Sequence, residues 1–315
     1  MNRRLFLALP ALAAAGGASW LALWPRPISR DALARAWAAP LPPLTPPLSV
    51  YHLGHSLVGR DMPAMLAQLL PGHAYHSQLG WGASLKQHWQ GDVPGFAQEN
   101  RPPAFRPAGE ALDSGTYDAV ILTEMVEIRD AIRWHDSARH LARWAARART
   151  GRARAGRPDV RLYLYETWHR LDDPEGWLTR IDRDLSRYWQ DALVRPAMAH
   201  RGVGTIHVIP GGQVMAALAR AAEAGHLPGL TRREDLFARA ADGSIDPIHL
   251  NDLGAYAIAL THAAVLTQQS PPGLPHRLTR ADGTPADAPS APLAAAMQRV
   301  VWDTVRSYAG SGIPA

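Results

Sequence analysis

The sequence predicts a three-layer α/β/α domain built around a mostly parallel sheet of five strands. Three observations carry this expectation. Short apolar runs alternate along the chain with longer amphipathic stretches, the pattern of strands joined by crossover helices. The run Tyr117-Asp118-Ala119-Val120-Ile121-Leu122-Thr123 is continuously apolar at its centre, as suits a strand covered on both faces. An apolar content of 47% with 19% charged residues is that of a globular protein.

The elements follow in order. Asn2-Arg3-Arg4 precedes an apolar run that reaches Trp24, and no acidic residue occurs before Asp31. A charged start followed by an apolar stretch is the pattern of an export signal, and Arg3-Arg4-Leu5-Phe6-Leu7 is similar to a twin-arginine signal. The run is also long enough for an uncleaved membrane anchor. Residues 1–24 are therefore expected to be a signal or anchor facing the periplasm. Residues 25–48 hold seven prolines and read as a tether. The first strand is expected at 49–53, and Asp61-Met62-Pro63 opens a helix with Asp61 as its N-cap. Further strands are expected at 73–78, 117–123, 160–166 and 205–209, the last ended by Pro210-Gly211-Gly212. Helices are expected at 135–149, 174–199, 213–224, 232–241 and 252–269, with Asp246 to Asn251 as a turn feeding the last of these. The domain thus spans 49–270. A loop over 271–289 leads to a helix capped by Ser290 and a tail, 290–315.

Composition narrows the partners. The net charge is +5, carried almost wholly by arginine, since Lys86 is the single lysine. The densest basic run, Arg143 to Arg157, falls at a helix end, where a solvated face accounts for it, so no nucleic-acid partner is expected. With no cysteine, thiol chemistry and disulfides are excluded. His52, His55, His73 and His76 recur at short spacing without a convincing third ligand, so neither a metal nor a cofactor is expected.

One stretch points to chemistry. Val50-Tyr51-His52-Leu53-Gly54-His55-Ser56 is an apolar strand running into a glycine and a serine, which places Ser56 at the sheet edge where open α/β folds bind ligands. A serine nucleophile needs a neutral imidazole to take its proton and a carboxylate to orient that imidazole. Asp246 and His249, three residues apart, can face the same side. The elbow of α/β-hydrolases is excluded, because Gly54-His55-Ser56-Leu57 continues with Val58 where that motif needs glycine.

These segments together resemble the SGNH (GDSL-type) hydrolase family. The likeness is to a largely uncharacterised bacterial subgroup. It rests on Gly54-His55-Ser56-Leu57, on Gly82-Ala83-Ser84-Leu85-Lys86-Gln87-His88-Trp89, and on the D-x-x-H-L-N-x-x-G run from Asp246 to Gly254. It covers about 49–269 and implies the family's flavodoxin-like sheet. It also implies Ser56 as nucleophile, His249 as base and Asp246 as its carboxylate, with the backbone N–H groups of Ser56 and Gly82 in the oxyanion hole. The family's third oxyanion donor is usually an asparagine after the third strand. Thr123 and Glu124 stand there instead, and Glu124 donates only when protonated. His55 occupies a position that is often acidic or polar.

The expected function is an exported serine esterase that removes a short acyl group such as acetyl from a small ester or an acylated carbohydrate. Trp81, Trp89 and Trp168 beside the motifs are candidates to stack on sugar rings. Two alternatives stay open on the sequence: an acyltransferase on a polysaccharide using the same three residues, and a carbohydrate-binding protein without catalysis.

Overall fold

The computed structural model describes residues 25–314. The signal or anchor expected at 1–24 lies outside them. Five parallel strands form the central sheet: β1 (Ser49–His55), β2 (Ala74–Gly80), β3 (Ala119–Thr123), β4 (Arg161–Glu166) and β5 (His207–Pro210). Their order is β2-β1-β3-β4-β5. The chain leaves β1 for β2 on one side and returns to β3 on the other, so the order reverses beside β1. Crevices at such points, outside the carboxyl ends of the strands, are where open α/β sheets bind ligands.

Alternation along each strand builds two cores. Val50, Ile121, Tyr163, Tyr165 and Ile209 face one layer, which includes helices Asp61–Leu69, Gly211–Glu223, Asp252–Thr267 and Ala291–Ser307. Tyr51, Leu53, Val120, Leu122, Leu164 and Val208 face the other, where Ser137–Arg154 is the longest helix. The fold is therefore a three-layer α/β/α sandwich, each strand sending successive side chains to opposite cores.

The structure differs from expectation in several places, among them the first helix after β1, whose N-cap is Arg60 and not Asp61. Residues 25–48 are not simply a tether. Arg30–Ala38 is a helix capped by the Ser29 hydroxyl, with Leu33 and Trp37 buried. Trp37 Nε1 donates to the Ile206 carbonyl at 3.0 Å. The prolines of this stretch flank the helix instead of occupying it, and two apolar residues four apart suffice to dock it.

The helix expected at 232–241 is a single 3₁₀ turn, Arg233–Leu236, followed by strand β6 (Phe237–Arg239). The turn expected at 246–251 belongs to strand β7 (Ile245–Leu250), antiparallel to β6. Pairing between the two segments overrides their local propensities.

Pro210-Gly211-Gly212 does end β5, but the next helix begins at Gly211 itself. A Cβ on Gly212 would come within 2.4 Å of Glu166 Oε1, so glycine is there for close approach to β4.

Candidate active site

Ser56 stands on the turn that ends β1. The N–H groups of Val58 and Gly59 both donate to the His55 carbonyl, at 2.9 and 3.2 Å. Gly59 supplies the positive φ of 61° that closes this turn. Gly54 is required for another reason. A Cβ there would lie 2.7 Å from Thr123 Cβ and 2.9 Å from Val58 Cγ2, so only glycine lets the strand end pass β3.

His55 is fully buried between these elements. Its Nε2 meets the Glu124 carbonyl at 2.8 Å, and the Leu57 N–H points at its Nδ1 at 3.3 Å. A carbonyl only accepts, so the proton sits on Nε2. Burial, outweighing the bond to Glu124, lowers its pKa to about 4, and the ring is neutral at pH 7. His55 is thus a structural tie between the Ser56 turn and the end of β3.

The second half of the site lies on β7. Asp246 Oδ1 accepts from the N–H groups of Ile248 and His249, at 2.9 and 3.0 Å. Asp246 Oδ2 faces His249 Nδ1 at 2.8 Å. Burial raises the Asp246 pKa, but the two amides and the imidazole together hold it below the ordinary carboxylate value. His249 Nε2 then lies 3.0 Å from Ser56 Oγ. Asp246, His249 and Ser56 form one hydrogen-bonded chain across 193 residues of sequence separation.

Neighbouring loops hold β7 in place. Trp168 Nε1 donates to the Ile248 carbonyl at 2.8 Å, and the Leu171 N–H donates to the Pro247 carbonyl at 2.8 Å. Asn251 caps helix Asp252–Thr267 through Leu253 and Gly254, while its side-chain amide donates to Asp235. A Cβ on Gly254 would meet the Leu236 carbonyl at 2.5 Å. The Asp-to-Gly run of the sequence thus encodes one docking arrangement of helix, hairpin and histidine.

Gly82 sits just after β2, whose last residue, Gly80, pairs in register with His55. It is exposed, has a φ of 56°, and nothing lies within 4 Å of where a Cβ would be. Its backbone is therefore bare to solvent. Ser84 follows as the cap of helix Leu85–Gln90, with Gln87 closing a capping box. His88 on that helix is buried, with Nε2 2.8 Å from the Gly54 carbonyl and Nδ1 2.9 Å from Gln78 Nε2. Trp89 packs edge-on against Trp144 at 4.9 Å, under the Arg143 guanidinium.

The two candidates for the third oxyanion donor are both fully buried. Thr123 is fully buried against Gly54, and its hydroxyl has no partner among the described residues. Glu124 is fully buried too. Its Oε1 accepts from the N–H groups of Met125 and Leu85, at 2.9 and 3.2 Å. Burial pushes its pKa up to about 7, against these amides and the nearby Ser137 hydroxyl. Its carboxyl is turned to the start of helix Leu85–Gln90, where it fastens β3 to the Gly82 loop.

A recess of about 120 Å³ opens beside Ser56 and His249, lined by the apolar side chains of Leu57, Val58, Met62, Trp168, Leu250 and Ile258 and by charged Arg60 and Asp61. Of the three tryptophans singled out by sequence, Trp168 is 1% exposed and Trp89 packs on its neighbours, so neither offers a free face. Trp81 is 53% exposed beside Gly82. His52, on the opposite face of β1 from His55, is buried near His262. Among the described residues no group of three or more His, Asp or Glu side chains is placed to hold a metal ion.

No protein-family model matches this chain, and no curated protein matches it. Among solved structures it is similar to a DUF4886 family protein from Bacteroides uniformis. The match has a TM-score of 0.47 at 17% identity, over 82% of this chain and 94% of that one.

Sequence reasoning missed the roles of His55, His88 and Trp168. The histidine in the middle motif was a visible signal for His88. Nothing local distinguishes His55, because its partner is a backbone carbonyl on another strand.

Proposed function

We propose that this protein is a serine hydrolase of the SGNH type that cleaves short-chain acyl esters. The observation that carries the reading is the chain Asp246 Oδ2–His249 Nδ1 at 2.8 Å and His249 Nε2–Ser56 Oγ at 3.0 Å. In this reading Ser56 Oγ attacks the acyl carbonyl while His249 Nε2 takes its proton. Asp246 holds the proton of the free imidazole on Nδ1, leaving Nε2 as the acceptor, and stabilises the imidazolium. The negative oxygen of the tetrahedral intermediate is met by backbone N–H groups of Ser56 and Gly82. His249 then protonates the departing alkoxide, and a water molecule deprotonated by the same nitrogen releases the acid.

The small recess beside Ser56, which offers Leu57, Val58, Met62 and Ile258 as apolar lining, supports a short acyl group. Exposed Trp81 beside Gly82 supports a carbohydrate alcohol, and the basic, apolar N-terminus supports export. Hydrolysis of p-nitrophenyl acetate that is lost in Ser56→Ala is the expected result. Unchanged hydrolysis in that variant rejects the nucleophile.

One observation favours a second reading. Thr123 is buried and Glu124 is held by two amides, so neither supplies the third oxyanion donor. Losing one such donor costs on the order of 10²–10³ in rate. A carbohydrate-binding protein without turnover accommodates this. Covalent labelling of Ser56 by a fluorophosphonate separates the two, because only an activated serine reacts.

A further inference from the structure

We infer that the face formed by helix Ser137–Arg154 and the turn after Arg195–Met198 is a docking surface for an anionic phospholipid bilayer. A recess of about 200 Å³ there is lined by Arg139, Arg143, His200 and Arg201, with Ala142, Ala146 and Val203 between them. Arg139, Arg143 and Arg201 form no ion pair with any described acid, whereas Arg147, Arg149 and Arg152 further along the same helix pair with Asp113, Asp159 and Asp118. Asp136, one turn before Arg139, makes no ion pair with it. Arg143 is braced over the Trp89 ring at 5.2 Å. His200 is electrostatically coupled to Arg139, whose charge adds to the effect of burial in lowering its pKa. The face is therefore a concave cluster of guanidinium groups of one sign, chemistry that suits phosphate oxygens.

The position of the chain start selects the occupant. Ile28 and Arg195 hold each other through Arg195 Nε to the Ile28 carbonyl, at 2.7 Å, and the Ile28 N–H to the Arg195 carbonyl, at 3.4 Å. Arg195 begins the short helix that leads to His200 and Arg201. The segment from Leu5 to Pro25 carries no charged residue, and the described chain begins three residues before Ile28, with exposed Arg26 between. An apolar segment adjoining clustered cations is the arrangement that seats a domain on acidic lipid.

The active-site chain Asp246–His249–Ser56 is not part of this surface, so the inference stands apart from the esterase reading. The test uses the full-length chain reconstituted in nanodiscs of phosphatidylcholine alone or with phosphatidylglycerol. Phenylglyoxal modification of individual arginines is followed by mass spectrometry. Arg139, Arg143 and Arg201 are expected to react about tenfold more slowly in the phosphatidylglycerol discs. High salt is expected to remove the protection. Arg277, exposed near the helix Asp61–Leu69 in the other layer, is the internal control and is expected to react equally in both. In Arg139→Gln/Arg201→Gln, protection of Arg143 is expected to fall. Equal rates in the two lipids at the three arginines overturn the inference, as does equal slowing of Arg277. Protection by transfer RNA with none by phosphatidylglycerol also overturns it and assigns a polynucleotide instead.

Discussion

His88 Nε2 lies 2.8 Å from the Gly54 carbonyl, two residues before Ser56, and Gln78 binds the other ring nitrogen at 2.9 Å. The ring therefore carries its proton on Nε2 and ties the end of β1 to helix Leu85–Gln90. Gln78 in turn accepts from the Ala108 N–H at 2.9 Å. Each member of this buried line is paired at both ends, so removing one strands its neighbours. His88→Leu is expected to cost about 2–4 kcal/mol in urea unfolding, because two buried polar groups lose partners. His88→Gln is expected to recover part of this. If Gly54 positions Ser56 through this bond, kcat falls in His88→Leu while KM changes little. An unchanged kcat with lower stability would assign the bond to folding alone.

Asp246 contributes through orientation as well as charge. Its Oδ1 is bound by two amides, and only Oδ2 is left for His249. Asp246→Asn presents an N–H where the imidazole needs an acceptor and selects the wrong tautomer. Under the esterase reading, kcat/KM is expected to fall on the order of 10³–10⁴ near neutral pH, with folding stability nearly unchanged. A loss under tenfold would argue against a general-base role for His249.

Trp168 supports the base from behind. Its Nε1 bond to the Ile248 carbonyl is the contact next to His249. Trp168→Phe keeps most of the apolar packing and removes this donor. About 1 kcal/mol of stability is expected to go with it. A lower kcat with an unchanged pH profile would show that β7 is displaced without altering the ionising groups.

Buried histidines set the acid response. His55, His73, His88, His169, His207 and His262 are each lowered by burial to about 4. The unfolded chain then binds more protons than the folded one between about pH 6.5 and 4, so stability falls as pH falls through that window. Burial acts oppositely on Glu124 and Glu166, whose pKa values are pushed up to about 7 and about 8. There the folded state holds the extra proton, and stability falls as pH rises from about 4.5 to 8. The histidines are more numerous, so the acid arm is expected to be the steeper in unfolding midpoints measured from pH 4 to 9. Glu166→Gln preserves a partner for Gln213 and is expected to flatten the alkaline arm.

The sequence by itself determined the sheet and the three residues of the hydrogen-bonded chain. Continuous apolar runs such as Val120 to Leu122 can be satisfied only between two layers, and the spacing of Asp246 and His249 lets a short backbone segment present both. Tertiary structure decided what local pattern does not encode. Residues 233–250 form a 3₁₀ turn and a hairpin because β6 finds β7, a long-range pairing that overrides helical propensity. Helix Arg30–Ala38 docks because Trp37 finds the Ile206 carbonyl far along the chain. The same holds at the site. Thr123 and Glu124 follow the same strand toward Ser56, yet one side chain is sealed against Gly54 and the other is captured by the amides of Leu85 and Met125. Backbone groups brought together only by folding made those assignments, and backbone groups carry no signature in sequence.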